Sequence, residues 1–109
     1  MRRKHSKVVQ LKVRRVAKMK IKSIKNLHNP FEGFGQWKEA IIEYKNKDYK
    51  VTYKQFDEGS EFGIKGGRIS KLTINLGKEK LANYDRGWDI KAKDEDTKAV
   101  LQILLDNEG

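Results

Sequence analysis

The chain has 109 residues and a formal net charge of +10, so there is room for one domain with one modest hydrophobic core. It contains no cysteine, which excludes disulfides and thiolate metal sites and favours a reducing compartment, so we expect a cytoplasmic protein. No apolar run approaches the roughly 20 residues of a membrane-spanning helix, and we expect no membrane partner.

Positive charge is concentrated at the start of the chain. Residues 1–31 carry eleven lysines and arginines and no acid, whereas residues 32–109 carry fourteen bases and fifteen acids. Crowded like charges repel one another, and binding a polyanion relieves this repulsion while releasing condensed counterions. The pattern predicts binding to nucleic acid (RNA or DNA) or to a nucleoprotein complex, with a merely solvated tail as the alternative. The predicted nucleic-acid-binding residues are Arg2, Arg3, Lys4, Lys7, Lys12, Arg14, Arg15, Lys18, Lys20, Lys22 and Lys25.

Two regions are predicted, a basic N-terminal segment at residues 1–30 and a small α+β domain at residues 31–109. The apolar residues of the first region favour one face of an amphipathic helix over about residues 6–18. Residues 18–22 alternate with a period of two and could form a strand instead. Pro30 and the glycines that follow it are typical of a loop and mark the boundary between the regions.

The domain begins with a predicted β-hairpin. Residues 37–44 and 49–56 read as two strands around the turn residues 46–48, and the second strand alternates apolar with polar side chains. The glycine-rich stretch 57–67 should be a substantial loop. Alternation then resumes over residues 68–76, which predicts a third strand.

The C-terminal half closes the sheet and adds a helix. A short fourth strand is predicted near residues 80–84, followed by a glycine-containing corner at residues 85–88. Acidic residues 94–96 suit the start of a helix, and the apolar stripe within residues 100–105 suits packing on a sheet. The predicted fold class is therefore α+β: an antiparallel sheet of about four strands with a C-terminal helix packed on it, preceded by the basic amphipathic segment.

Three motifs carry a resemblance to a known family: SEFGI at residues 60–64, GRISKL at residues 67–72 and NYDRGWD at residues 83–89. With these motifs, about residues 36–106 resemble a small uncharacterised domain family common in bacteriophages and mobile elements of Gram-positive bacteria. That family has no established chemistry to transfer to single residues. The resemblance implies an accessory protein working in a bacterial host cell, and the size and charge are compatible with an anti-CRISPR protein, whose partner would be a guide-loaded CRISPR effector nuclease.

The same motifs contain a second basic and aromatic cluster, provided that the loop and the corner lie at one end of the sheet. Aromatic rings there could stack on exposed bases while arginines contact phosphates. Equally, Tyr84 and Trp88 could fill the core while Arg86 pairs with a neighbouring aspartate. The loop glycines could let backbone N–H groups approach a phosphate, or simply supply positive φ angles. The predicted partner-binding residues are Ser60, Glu61, Phe62, Arg68, Lys71, Tyr84, Arg86 and Trp88.

We predict no catalytic residue, no metal site and no cofactor. His5 and His28 both lie outside the predicted sheet, so no histidine-based triad can be assembled in the domain. A metal-dependent nuclease would need clustered carboxylates, for which the candidates are Asp57, Glu58, Glu61, Asp85 and Asp89. We therefore expect a non-enzymatic nucleic-acid or ribonucleoprotein binding protein. The alternative is a protein-interaction or structural accessory module of a phage or conjugative element, with an incidental basic tail.

Overall fold

Six antiparallel strands follow one another across a single sheet in chain order. The computed structural model describes residues 19–27 and 35–109. Each strand pairs with its neighbours in the chain, so the sheet is a simple meander. The elements are β1 (Met19–Asn26), β2 (Gln36–Tyr44), β3 (Lys47–Gln55), β4 (Ile69–Leu76), β5 (Glu79–Asp85), β6 (Trp88–Ile90) and the helix α1 (Glu95–Glu108).

The predicted α+β class, with an antiparallel sheet and a C-terminal helix, is confirmed, but the prediction of about four strands is wrong because the sheet has six. Both additional strands are edge strands. β1 is the strand that the alternation at residues 18–22 offered as an alternative to a helix, and β6 has three residues, too few for alternation to show. The predicted helix over about residues 6–18 and the boundary at Pro30 lie outside the described residues.

One face of the sheet carries the hydrophobic core, because alternate residues of β2 to β5 point toward α1. Val100 and Leu104 of α1 are fully buried against this face. Full burial of a side chain such as Leu104 stabilises the fold by about 1.5–3 kcal/mol. The buried apolar strand residues of this face are Ala40, Ile42, Tyr49, Val51, Tyr53, Ile69, Leu72, Ile74, Ala82 and Tyr84.

A β-bulge explains an irregularity in the alternation of β4. Lys54 pairs with Lys71 and Gln55 pairs with Ile69, which leaves Ser70 as an extra residue. The bulge changes the phase of alternation, so that Ile69 and Leu72 are both buried although they are three positions apart.

The start of α1 has the predicted acidic cap. The Asp94 carboxylate accepts hydrogen bonds from the backbone N–H of Thr97 at 2.6 Å and from the Thr97 hydroxyl at 3.0 Å. These bonds, the backbone bond foremost, lower the pKa of Asp94. Glu95 and Asp96 follow in the first turn, where negative charge is favoured by the helix dipole. The sequence pattern therefore located this helix end correctly.

Candidate nucleic-acid interface

Three of the predicted nucleic-acid-binding lysines lie on the edge strand β1. Lys22 Nζ lies 3.0 Å from Asp48 Oδ2, and this hydrogen bond raises the pKa of the ammonium group. Lys25 Nζ lies 3.3 Å from Glu39 Oε1, whereas Lys20 forms no ion pair with the described part of the chain. Lysines on an edge strand also discourage pairing with another sheet. The other predicted bases, Arg2, Arg3, Lys4, Lys7, Lys12, Arg14, Arg15 and Lys18, lie outside the described residues.

The sheet face opposite α1 carries the residues that alternate with the core residues of the strands. We call its part between β1 and β4 nearest Trp37 the open face. Within it Lys50 Nζ also approaches Glu39, at 3.8 Å, and the ammonium group of Lys54 lies 5.4 Å from the ring centre of Phe56. The pairing of the strands places four lysines and one acid on the open face. The open face consists of Ser23, Lys25, Trp37, Glu39, Ile41, Lys50, Thr52, Lys54, Lys71, Thr73 and Asn75.

Charge differs between α1 and the open face, although the next pair on the same side of the sheet, Glu43 and Asp48, is acidic. The helix α1 and its cap at Asp94 carry five acids and one lysine, whereas the open face carries four lysines and one acid. A polyanion is therefore repelled from the helix side and attracted to the open face. Sequence reasoning did not single out Trp37, Lys50 or Lys54 as site residues. These three residues alternate along β2 and β3 with the buried residues, and this alternation was the signal in the sequence that could have identified them.

Tyr84 and Trp88 are packed against the core rather than fully exposed to solvent. Tyr84 is 8% exposed, and its ring centre lies 5.0 Å from that of Trp88 in an edge-to-face arrangement at 73°. The Tyr84 hydroxyl donates a 2.9 Å hydrogen bond to the carbonyl oxygen of Phe62. This bond joins the loop of residues 57–67 to β5, so the loop and the corner lie at one end of the sheet, which was the condition for the predicted cluster.

Phe62 and Arg86 form the exposed part of this cluster. Phe62 is 49% exposed, and the Arg86 guanidinium carbon lies 5.9 Å from the centre of its ring. The Arg86 Nε atom is 3.9 Å from Asp85 Oδ1, and Lys71 Nζ is 3.8 Å from the same oxygen. Ser60 and Glu61 are exposed beside them on the loop. Seven of the eight predicted partner-binding residues are therefore near this end of the sheet.

Arg68, the eighth, is engaged with the end of α1. Its Nη2 atom donates to the Glu108 carbonyl oxygen at 3.1 Å, and Gln55 Nε2 donates to the same oxygen at 2.7 Å. The Glu108 carboxylate accepts from the Tyr53 hydroxyl at 2.8 Å and pairs with Lys38 Nζ at 3.4 Å. Burial, followed by this hydrogen bond, raises the pKa of Tyr53. These contacts give Arg68 a structural role at the helix C-terminus.

The glycine-rich loop uses its backbone N–H groups internally. Gly63, Gly66 and Gly67 donate to carbonyl oxygens of the loop at 2.9–3.1 Å, and Ser60 donates to the Gly67 carbonyl at 3.2 Å. These donors are therefore occupied, which does not support a phosphate cradle. Among the loop glycines only Gly66 has a positive φ, of 73°. Gly59 and Gly63 are needed instead because backbone atoms lie where a Cβ would be.

The candidate carboxylates are not clustered in the described part of the chain, where no group of three His, Cys, Asp or Glu side chains could hold a metal ion. Asp85 lies between two bases, and Asp89 accepts a 3.0 Å hydrogen bond from Asn83. Asp57 and Glu58 line an open groove of about 1040 Å³ that also includes Arg86. Within residues 19–27 and 35–109, no helix has the length and apolar character needed to cross a membrane.

Neither the curated proteins nor the solved structures include a match to this chain. A family model described as a domain of unknown function, DUF7678, matches residues 36–108. The matched region runs from the start of β2 to the end of α1, so β1 and the basic residues that precede it lie outside it. Because this region comprises most of the sequence, the chain belongs to the DUF7678 family.

Proposed function

We propose that the chain is a non-enzymatic nucleic-acid or ribonucleoprotein binding protein of phage or mobile-element origin that works in the cytoplasm of a bacterial host. The observation that carries this proposal is the set of eleven bases without an acid in residues 1–31. Lysine and arginine side chains in such a segment contact phosphates independently of sequence, and the release of condensed counterions drives the association.

The position of β1 supports this proposal. β1 begins at Met19, directly after eight of the eleven bases, and pairs with β2 along its length. A nucleic acid bound to residues 1–18 is consequently held close to the folded domain. The acidic residues of α1 repel it, which favours the open face.

The most concrete form of the proposal is an anti-CRISPR-type inhibitor of an RNA-guided nuclease. The guide and target channel of such a nuclease is itself basic, so it repels a segment with a charge of +11. The guide RNA or the target strand would supply the opposite charge. We therefore expect the chain to bind the guide-loaded nuclease and the guide RNA in preference to the empty nuclease.

This form is tested by passing guide-loaded and guide-free nuclease from a Gram-positive bacterium over the immobilised full chain. The expected result is retention of the loaded complex only, with retention weakened when Arg14 and Arg15 are replaced by glutamine. A Lys91→Gln and Lys93→Gln variant, altered in two exposed lysines beyond β6, controls for a general loss of charge. Equal retention of guide-free nuclease would contradict the inhibitor form but not nucleic-acid binding as such.

A second candidate, a protein-interaction module with an incidental basic tail, is favoured by one observation. Phe62 is 49% exposed and is flanked by Arg86, and exposed aromatic and arginine side chains are enriched at protein interfaces. This candidate requires partner binding to persist when residues 1–18 are removed. A chain beginning at Met19 separates the two candidates.

A further inference from the structure

A row of side chains crosses the open face at one end. Trp37 on β2 lies directly opposite Lys54 on β3, and Lys54 lies opposite Lys71 on β4. With strands about 4.8 Å apart, the row spans about 10 Å. Lys50 lies on the same face of β3, four residues or about 13 Å before Lys54. Lys54 thus lies beside Trp37, with Lys71 one strand farther away and Lys50 farther along β3 on the same face.

The ammonium groups of Lys50, Lys54 and Lys71 form only long or uncharged contacts within the described part of the chain. Lys71 Nζ is 3.8 Å from Asp85, and Lys50 Nζ is 3.8 Å from Glu39, with the lysine side chains 39% and 55% exposed. Lys54 has no carboxylate partner in the described part of the chain and lies over the ring of Phe56. Exposed ion pairs of this kind contribute about 0–1 kcal/mol, so phosphates can replace the carboxylates at little cost.

The width of the surface favours single strands. β1 to β4 span about 14 Å, more than the roughly 12 Å width of the major groove, which admits a helix or a two-stranded ribbon. Trp37 can stack only on a base whose face is free, and a duplex hides these faces. Two copies of the chain would not pair through this surface, because four lysines would face four lysines.

We propose that the open face binds single-stranded nucleic acid, with a base stacked on Trp37 and the phosphates contacted by Lys50, Lys54 and Lys71. This inference rests on the proposed function and extends it by assigning the surface of the folded domain and the strandedness of the ligand. The basic segment supplies general attraction to phosphates, and the open face supplies the preference for unpaired bases.

The test measures binding of the full chain to a labelled oligothymidine of about 16 nucleotides and to a duplex of equal length. Trp37→Leu should weaken binding to the oligothymidine about five- to 150-fold, because stacking of one base is worth about 1–3 kcal/mol. Trp37→Phe, which keeps an aromatic ring, should lose much less. Binding to the duplex should change by less than about threefold in both variants.

The lysines are tested by a Lys54→Gln and Lys71→Gln variant against the Lys91→Gln and Lys93→Gln control, which has the same net charge. The open-face variant should bind oligothymidine at least about fivefold more weakly than the control. Thermal unfolding of every variant verifies that the fold is retained. If the unsubstituted full chain binds oligothymidine and the open-face variants bind it with the same affinity, this inference alone is overturned. Absence of any binding by the full chain would overturn the proposed function as well.

Discussion

Removing the charge of residues 1–18 should weaken binding to nucleic acid by about a hundredfold or more at about 100 mM salt. This segment contains eight of the eleven bases that precede the first acid. Each base that contacts a phosphate releases a condensed counterion, and this release supplies most of the sequence-independent affinity. The three remaining lysines, on β1, cannot replace eight bases, because the number of phosphates contacted sets the number of counterions released.

Two variants measure this effect by fluorescence anisotropy, a chain beginning at Met19 and a full-length chain with the eight bases replaced by glutamine. Agreement between them attributes the loss to charge rather than to length. A smaller pair of variants offers a control matched in charge: Arg14→Gln with Arg15→Gln against Lys91→Gln with Lys93→Gln. If the shortened chain binds as tightly as the full chain, the basic segment is incidental and the protein-interaction module becomes the better account.

Gly63→Ala should destabilise the domain by about 3 kcal/mol, the upper end of the usual cost of overpacking. A Cβ at this position would lie 1.8 Å from the carbonyl oxygen of Gly67 and 2.7 Å from its carbonyl carbon. Gly67 cannot move away easily, because its N–H donates to Ile64 and its carbonyl accepts from Ser60. The backbone φ of Gly63 is −77°, so the requirement for glycine comes from space and not from conformation.

Urea unfolding followed by tryptophan fluorescence measures the change, with Gly87→Ala as the control. A Cβ at Gly87 would meet no atom within 4 Å, and its φ lies outside the left-handed region, so we expect a change within about 0.5 kcal/mol. Equal unfolding free energies for the two variants would show that the loop is not packed as described. The hydrogen bond from the Tyr84 hydroxyl to the Phe62 carbonyl oxygen would then no longer be held in place by a packed loop.

The central strands and the helix could be predicted because their sequences alternate or follow a helical period with clear end signals. Tyr49, Val51 and Tyr53 are all buried on one face, and Asp94 caps α1 as its position predicts. The edge strands gave weaker signals. β1 alternates lysines with apolar residues, a pattern that fits both a strand and part of a basic helix, and β6 is fixed by pairing with β5 rather than by its own sequence.

The candidate site was harder to predict than the fold, because a sheet face is assembled from every second residue of several strands. Trp37, Lys54 and Lys71 are distant in sequence and become neighbours only through the register of β2, β3 and β4. Tyr84 lies near Phe62, but its hydroxyl donates a hydrogen bond to the backbone carbonyl oxygen of the loop. Charge counted along the chain identified the basic segment but not this surface.

The salt dependence of nucleic-acid binding by the full chain tests the account most directly. If six or more phosphates are engaged, the affinity for single-stranded DNA or RNA should fall by about three-hundredfold or more between about 50 and 200 mM salt. A chain beginning at Met19 should show a shallower slope. Affinity that does not change with salt, or absence of binding at about 100 mM salt, would contradict the claim that the basic segment binds nucleic acid.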